Sequence, residues 1–294
     1  MVSIIMPISR PPAAFLHEAV ESVLQQSYGD WELWMVDDCP DEPHEAIVRA
    51  YSDDRIHYLA NDRGLDVAAG RNRGVAACGG EYVAFLEPGD VWMPEKLERQ
   101  CAQLIREPDA VMVYSPLWFG ENRQEWPQTP HGGDRFADLL RHCNILSCSA
   151  ILCRRMIFTE WRLAFASEAS PCDDYDLYLR MVRWGRIVRG NEVLVRCRKL
   201  ADHASDDLYR IQRTKLRIVQ RQLDCLCHEG CGMLWDRWHC RRALGRLYGA
   251  CAAAESAAGD DETAEGSFWY AWWFNPLKIN MLWHWLRIFL LGDR

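Results

Sequence analysis

Along the first 115 residues, short unbroken apolar runs alternate with stretches in which apolar residues recur every three or four positions. "VSIIMP" at 2–7 is brief, apolar and rich in β-branching, the pattern of a strand buried on both faces. Phe15, Leu16, Ala19, Val20, Val23 and Leu24 then mark one face of a helix over about 13–26. "WELWMVDD" predicts a second strand that ends on two aspartates, followed by a helix over about 42–51 and a short strand over 56–59. An Ala-rich helix over 66–78 is closed by Gly79-Gly80, "EYVAFLE" reads as another buried strand, and a helix over 94–106 is entered through Pro94. "AVMVYS" completes the alternation.

Strands alternating with helices of this length predict a mostly parallel sheet covered on both faces, with its ligand crevice beyond the carboxyl ends of the strands. Polar residues gather at those ends: Asp37 and Asp38 after one strand, Glu87 and Asp90 after another. From Ser115 to about Gly133 the pattern dissolves into a loop containing Trp, Pro and Gly. "ILSCSAILCRR" reads as a loop leading into a strand, "DDYDLYLRMVRWG" as a helix opening on aspartates, and "RIVRGNEVLVRCR" as a strand pair or hairpin. Beyond Asp206 the pattern is helical throughout, in segments 206–230, 235–259 and 261 onward. The expected organisation is an α/β domain over 1–205 and an α-helical C-terminal region over 206–294.

Composition narrows the function classes. A chain of 294 residues with 49% hydrophobic and 26% charged residues has the balance of a folded globular protein. Its formal net charge of −8 excludes general nucleic-acid binding, which needs a basic surface against phosphates. Thirteen cysteines, without the tight spacing of a secreted scaffold, read as mostly reduced small apolar residues. Met1 leads straight into the run Val2–Met6 rather than into an export signal, so the expected location is cytoplasmic. The tail "FWYAWWFNPLKINMLWHWLRIFLLG" is rich in Trp but interrupted by Lys278, His284 and Arg287. It suits core cover, a dimer contact or a peripheral place at the inner membrane face, where amphipathic aromatics gather. Cys225, Cys227, His228, Cys231, His239 and Cys240 lack the paired spacing of a zinc site and read as thiols on helix faces. The first strand-to-helix turn, "PISRPPAAF", lacks the glycine fingerprint of a nicotinamide-dependent oxidoreductase.

Four segments in order carry a resemblance: "VSIIMP", "LHEAVESVLQQSYGDWELWMVDD", "DDRIHYLANDRGLDVAAGRNRGVAACGGEYVAFLEPGDVWMPEKLERQ" and "CDDYDLYLRM". Together, from Val2 to about Ser205, they resemble the family-2 glycosyltransferases, inverting enzymes of the GT-A fold that act in bacterial glycan synthesis. The resemblance implies a nucleoside-diphosphate sugar donor, UDP-linked, and a hydroxyl of a glycan or lipid-linked glycan as acceptor. Asp38 matches the position that hydrogen-bonds the donor's base; the plain alternative is a strand-end aspartate capping the next helix. Pro7 and Ser9 line the same pocket, with Ser9 standing where the family often has an aromatic. Arg71 matches an arginine near the donor, whereas Arg73 reads as a solvated helix arginine. Arg198 and His203 match a loop that approaches the diphosphate.

The family's metal motif is altered. It usually reads Asp-any-Asp, holding Mg²⁺ or Mn²⁺ against the diphosphate. Here the strand ends in "LEPGD", with Glu87 for the first aspartate, Gly89 for the second, and Asp90 beside it. Three readings stand open: Glu87 and Asp90 hold the ion in shifted geometry, the diphosphate is neutralised without metal, or the chain is a catalytically silent sugar-nucleotide-binding or scaffold subunit. Asp174 matches the general base, with Asp173 replacing the glutamate beside it. The alternative for that pair is compensation of the helix dipole.

Overall fold

A computed structural model describes residues 1–41, 44–62, 64–120, 123–126, 136–141, 147–198, 205–228, 234–258 and 260–274. The chain divides into two compact units, Met1–Ala201 and Asp202–Arg294.

The first unit runs β1 (Val2–Ile8), α1 (Ala13–Leu24), β2 (Trp31–Asp37), α2 (Glu45–Arg49), β3 (Ile56–Ala60), α3 (Val67–Ala77), β4 (Tyr82–Phe85), β5 (Val91–Trp92) and α4 (Lys96–Arg106). It continues through β6 (Ala110–Tyr114), β7 (Leu117–Phe119), β8 (Gln124–Trp126), α5 (Phe136–Arg141), β9 (Ile151–Arg154), α6 (Met156–Thr159), α7 (Asp173–Met181), β10 (Arg186–Arg189) and β11 (Val195–Cys197). A seven-stranded sheet has the order β10-β6-β9-β4-β1-β2-β3, in which β9 alone runs antiparallel to its neighbours. Strand β1 lies between β2 and β4, and all seven of its residues are buried, which is why its sequence is apolar without alternation. Helix α3 rests on this centre through Gly74, where an added Cβ would come within 2.4 Å of Ile5 Cγ2.

Two expectations are corrected. The stretch after Ser115, read as loop, contains β7 and β8, which join β5 and β11 in a second sheet of order β5-β11-β7-β8. These strands are only two or three residues long, too short to show a period. The segment 186–198 is not a hairpin: β10 pairs in parallel with β6 in the large sheet, whereas β11 crosses to the small one. Gly190 lies at that crossing, its N–H donating to the carbonyl of Tyr114 at 2.7 Å.

The second unit holds α8 (Ser205–His228), α9 (Leu234–Ala257) and α10 (Asp261–Phe274). Helix α9 packs against both α8 and α10. Ala264, Phe268 and Ala271 form the buried stripe of α10, whereas Trp269, Tyr270, Trp272 and Trp273 are exposed. No helix among the described residues is long and apolar enough to cross a membrane. All eleven described cysteines are free thiols.

Candidate active site

Parallel pairing brings several candidates to one edge of the sheet. Ile8, the last residue of β1, pairs with Asp37 of β2, and Ile5 pairs with Phe85 of β4. Pro7, Ser9, Asp38 and Glu87 therefore sit at the carboxyl ends of three adjacent strands, where α/β sheets bind ligands. Pro7 is buried and Ser9 exposed. An added Cβ on Gly70 of α3 would lie 3.7 Å from Pro7 Cβ, so the start of that helix closes over the strand end.

The two aspartates after β2 differ in environment. Asp37 is buried and accepts hydrogen bonds from the N–H groups of Cys39 (3.0 Å) and His44 (2.6 Å) and from the Tyr58 hydroxyl (2.7 Å). Asp38 is half-buried, and its Oδ1 accepts from Asn61 Nδ2 (2.8 Å) and the Leu65 N–H (2.6 Å). Asn61, 3% exposed, also accepts from Arg73 Nη1. Arg73 is thus a half-buried support of the Asp38 network, not the solvated helix arginine expected from the sequence. Asn61 was missed in the sequence, although its place directly after a parallel strand, in "HYLAND", is the signal that would have found it.

Arg71 joins the strand ends to the start of α7. Its guanidinium donates through Nη1 to Asp173 Oδ2 at 2.6 Å and through Nη2 to Glu87 Oε1 at 2.5 Å, with its Cζ 5.1 Å from the centre of the Phe165 ring. Phe165 is in turn fixed by Asn72, whose side-chain amide bonds both its carbonyl (2.8 Å) and its N–H (2.9 Å). Arg71 is 7% exposed, and a planar fork answering two carboxylates is a geometry lysine cannot reproduce. Burial pushes the Asp173 carboxyl above its ordinary range, and the charge of Arg71 opposes that shift. Cys148, buried beside this group, contacts the Tyr178 hydroxyl at 3.3 Å; burial raises its thiol far above the usual value, so it stays protonated.

Helix α7 opens with three aspartates. Asp173 is held by Arg71, and Asp176, fully buried, accepts from Arg180 Nε at 2.9 Å. Asp174 lies between them, half-buried, its Oδ1 accepting from the Tyr175 N–H at 2.6 Å.

Glu87 and Asp90 are treated differently by the fold. Glu87 keeps 30% side-chain exposure, and its N–H donates to Ser149 Oγ at 2.9 Å. Asp90 is 3% exposed, its Oδ2 accepting from Ser147 Oγ (2.8 Å) and its Oδ1 from the Arg198 N–H (3.3 Å). Burial raises the Asp90 carboxyl, and the hydroxyls of Ser149 and Ser147 oppose that shift. A hard divalent ion at a nucleotide site is commonly held by one or two carboxylates together with substrate phosphates. Glu87 fits that description and keeps partial access to water, whereas Asp90 is buried with each oxygen accepting one hydrogen bond from the protein. An added Cβ on Gly89 meets nothing within 4 Å, so the turn has room for the side chain it lacks.

The side chain of Arg198 is bound to Glu18 and lies over Phe15, with its Cζ 4.3 Å from the ring centre. His203 lies outside the described residues.

A mostly parallel sheet with an acid-lined carboxyl edge, and a second acidic cluster at a helix start tied to it by an arginine, define a GT-A sugar-nucleotide fold. Solved structures share it. The match to Staphylococcus aureus TarS 1-349 in complex with UDP has a TM-score of 0.60 at 15% identity, covering 90% of this chain and 89% of that one. The match to the mannosyltransferase PcManGT from Pyrobaculum calidifontis, in complex with GDP-Man and Mn²⁺, has a TM-score of 0.61 at 14% identity, covering 99% and 85%. Residues 3–162 match the family model for glycosyl transferase family 2, and the chain belongs to that family as a nucleotide-sugar-dependent glycosyltransferase. It is also similar to the UDP-Glc:alpha-D-GlcNAc-diphosphoundecaprenol beta-1,3-glucosyltransferase WfgD of Escherichia coli. Identity to that relative is 27% over 226 residues, covering 77% of this chain and 85% of the relative.

Proposed function

We propose that this chain transfers a sugar, with inversion, from a UDP-linked donor to a hydroxyl of a glycan or lipid-linked glycan. The observation that carries the reading is the Arg71 bridge. One buried guanidinium joins Glu87, at the donor edge of the sheet, to Asp173, the residue adjoining Asp174. It fixes the spacing between a donor-side carboxylate and the start of the helix that bears the base.

In this reading Asp38, steadied by Asn61, accepts from the imide of the base, with Pro7 and Ser9 lining that pocket. Arg71 sets the charge balance beneath the diphosphate; Arg198, directly after β11, and His203 are carried to the diphosphate by the family resemblance alone. Asp174 takes the proton of the acceptor hydroxyl as its oxygen bonds to the anomeric carbon. The bond from that carbon to the diphosphate oxygen breaks with its electron pair leaving on UDP. Asp173 and Asp176, each paired with an arginine, keep the first turn of α7 in place. Mg²⁺ or Mn²⁺, when bound, neutralises charge on the departing diphosphate, with Glu87 supplying the carboxylate and Asp90 anchoring the turn beneath it. The unit Met1–Ala201 carries the transfer chemistry. The exposed aromatics of α10 suit an interface with a lipid surface or a second copy. The name of the Escherichia coli relative describes a UDP-glucose donor and an undecaprenyl-diphosphate-linked acceptor, which supports both substrate classes.

The test is turnover of a panel of UDP- and GDP-sugars with lipid-linked glycan acceptors, the product's anomeric configuration being read by NMR. Inverted product from a UDP-sugar is expected. Retained configuration, or turnover confined to GDP-sugars, would overturn the reading.

A further inference from the structure

Beside the donor edge, in the turn between β2 and α2, lies a group of side chains that the transfer reaction does not use. We propose that Asp37, Cys39 and His44 form a binding site for one thiophilic divalent cation of the zinc class. One ligand atom from each of the three lies within 4.8 Å of the others, and among the described residues no other such trio of His, Cys, Asp or Glu occurs. The cysteine- and histidine-rich segment after Cys225, where spacing drew attention in the sequence, forms none among its described members.

A carboxylate, a thiolate and an imidazole are a donor set that zinc accepts and that Mg²⁺ does not prefer. With bonds of about 2.0–2.3 Å, the ligand atoms of a tetrahedral zinc stand roughly 3–4 Å apart, so a closure of about 1 Å completes the site. His44 Nδ1 already lies 3.3 Å from both oxygens of Asp37.

Two further observations favour a ligand over a closed polar network. The Arg10 N–H is aimed at Cys39 Sγ from 3.1 Å, an oriented outer contact to the sulfur. Around Asp37 the Tyr58 hydroxyl (2.7 Å) and the Cys39 N–H (3.0 Å) give the oriented outer contacts typical of metal ligands. Asp37 and Cys39 flank Asp38 in the chain, so occupancy of this site fixes the turn that presents the proposed base-binding carboxylate. The inference stands on its own geometry and does not depend on the donor or mechanism proposed above.

The full-length chain, stripped with a chelator, is titrated with Co²⁺ alone. The expected result is a near-ultraviolet thiolate-to-cobalt charge-transfer band saturating at one equivalent, displaced by Zn²⁺ and unaffected by excess Mg²⁺. Cys39→Ser should abolish the band, and His44→Gln should weaken Co²⁺ binding at least tenfold. A wild-type protein without the band, or a band undiminished in Cys39→Ser, would show that the trio is only a hydrogen-bonded network. Should Cys39→Ser fail to fold by circular dichroism, His44→Gln decides: unchanged Co²⁺ affinity overturns the proposal.

Discussion

Replacing Arg71 by Met removes a buried cation while keeping the bulk of its stem over Phe165. Asp173, 6% exposed, then loses its 2.6 Å partner, and Glu87 loses a 2.5 Å partner but keeps partial access to water. Breaking one side of a buried ion pair costs about 3–5 kcal/mol, and the solvent access of Glu87 places the expected loss near the lower bound, about 3 kcal/mol at neutral pH. The pH dependence carries a sign. Burial already raises the Asp173 carboxyl, and without the opposing Arg71 charge it rises further. Between the ordinary carboxylate value and that elevated one, the folded state binds more protons than the unfolded state, so stability falls as pH rises. The deficit of the variant should therefore be smallest in acid and grow by up to about 1.4 kcal/mol per pH unit until Asp173 is fully ionised. Urea-dependent hydrogen exchange at the amides of β1 and β4 reads this unit without contribution from the C-terminal helices. A loss below about 1 kcal/mol, or one that does not change with pH, would refute the view that Arg71 compensates a buried carboxylate.

Asp38→Ala should weaken UDP binding by about 1–3 kcal/mol in calorimetry, with Asn61→Ala giving a smaller loss because it only steadies that carboxylate; unchanged affinity removes Asp38 from the pocket. Burial lowers the Lys96 ammonium to about 7, where its Nζ donates to the Ile151 carbonyl at 3.0 Å. The unfolded chain then binds the extra proton between that value and the ordinary lysine range, so wild-type stability should rise with pH there. Lys96→Met should flatten that slope by up to about 1.4 kcal/mol per pH unit, and an unchanged slope would show that the amine is not the titrating group. Because a Cβ at Gly89 meets nothing within 4 Å, Gly89→Asp should leave stability within about 0.5 kcal/mol. It should make Mn²⁺ tighten UDP binding at least tenfold more than in wild type, and an equal response in wild type and variant would show that position 89 does not reach the metal.

How far the sequence carried the fold follows from element length and burial. The strands β1, β2, β4 and β6 are mostly buried runs, each adjoining a helix of 11 or 12 residues, so their types and order were readable directly. The second sheet was not, since β5 has two residues and its partners three, and pairing rather than periodicity defines them. Within the candidate site, residue type at strand ends pointed to Asp38 and Glu87, and the family resemblance pointed to Asp174. It did not disclose that Arg71 spans 102 positions in sequence to reach Asp173, a contact only folding creates. Nor did it separate Glu87 from Asp90, whose difference lies in Ser147 and the Arg198 backbone arriving from distant loops. The Asp37, Cys39 and His44 trio escaped notice because its spacing matches no common metal motif.

The central claim, that Asp174 is the base of a UDP-sugar-dependent transfer, is tested most directly by Asp174→Asn. Turnover of a UDP-sugar with a glycan acceptor and UDP affinity by calorimetry should be measured on the same preparation. Transfer should be abolished while UDP binds as in wild type. Retained turnover, or loss of UDP binding in step with activity, would contradict the claim.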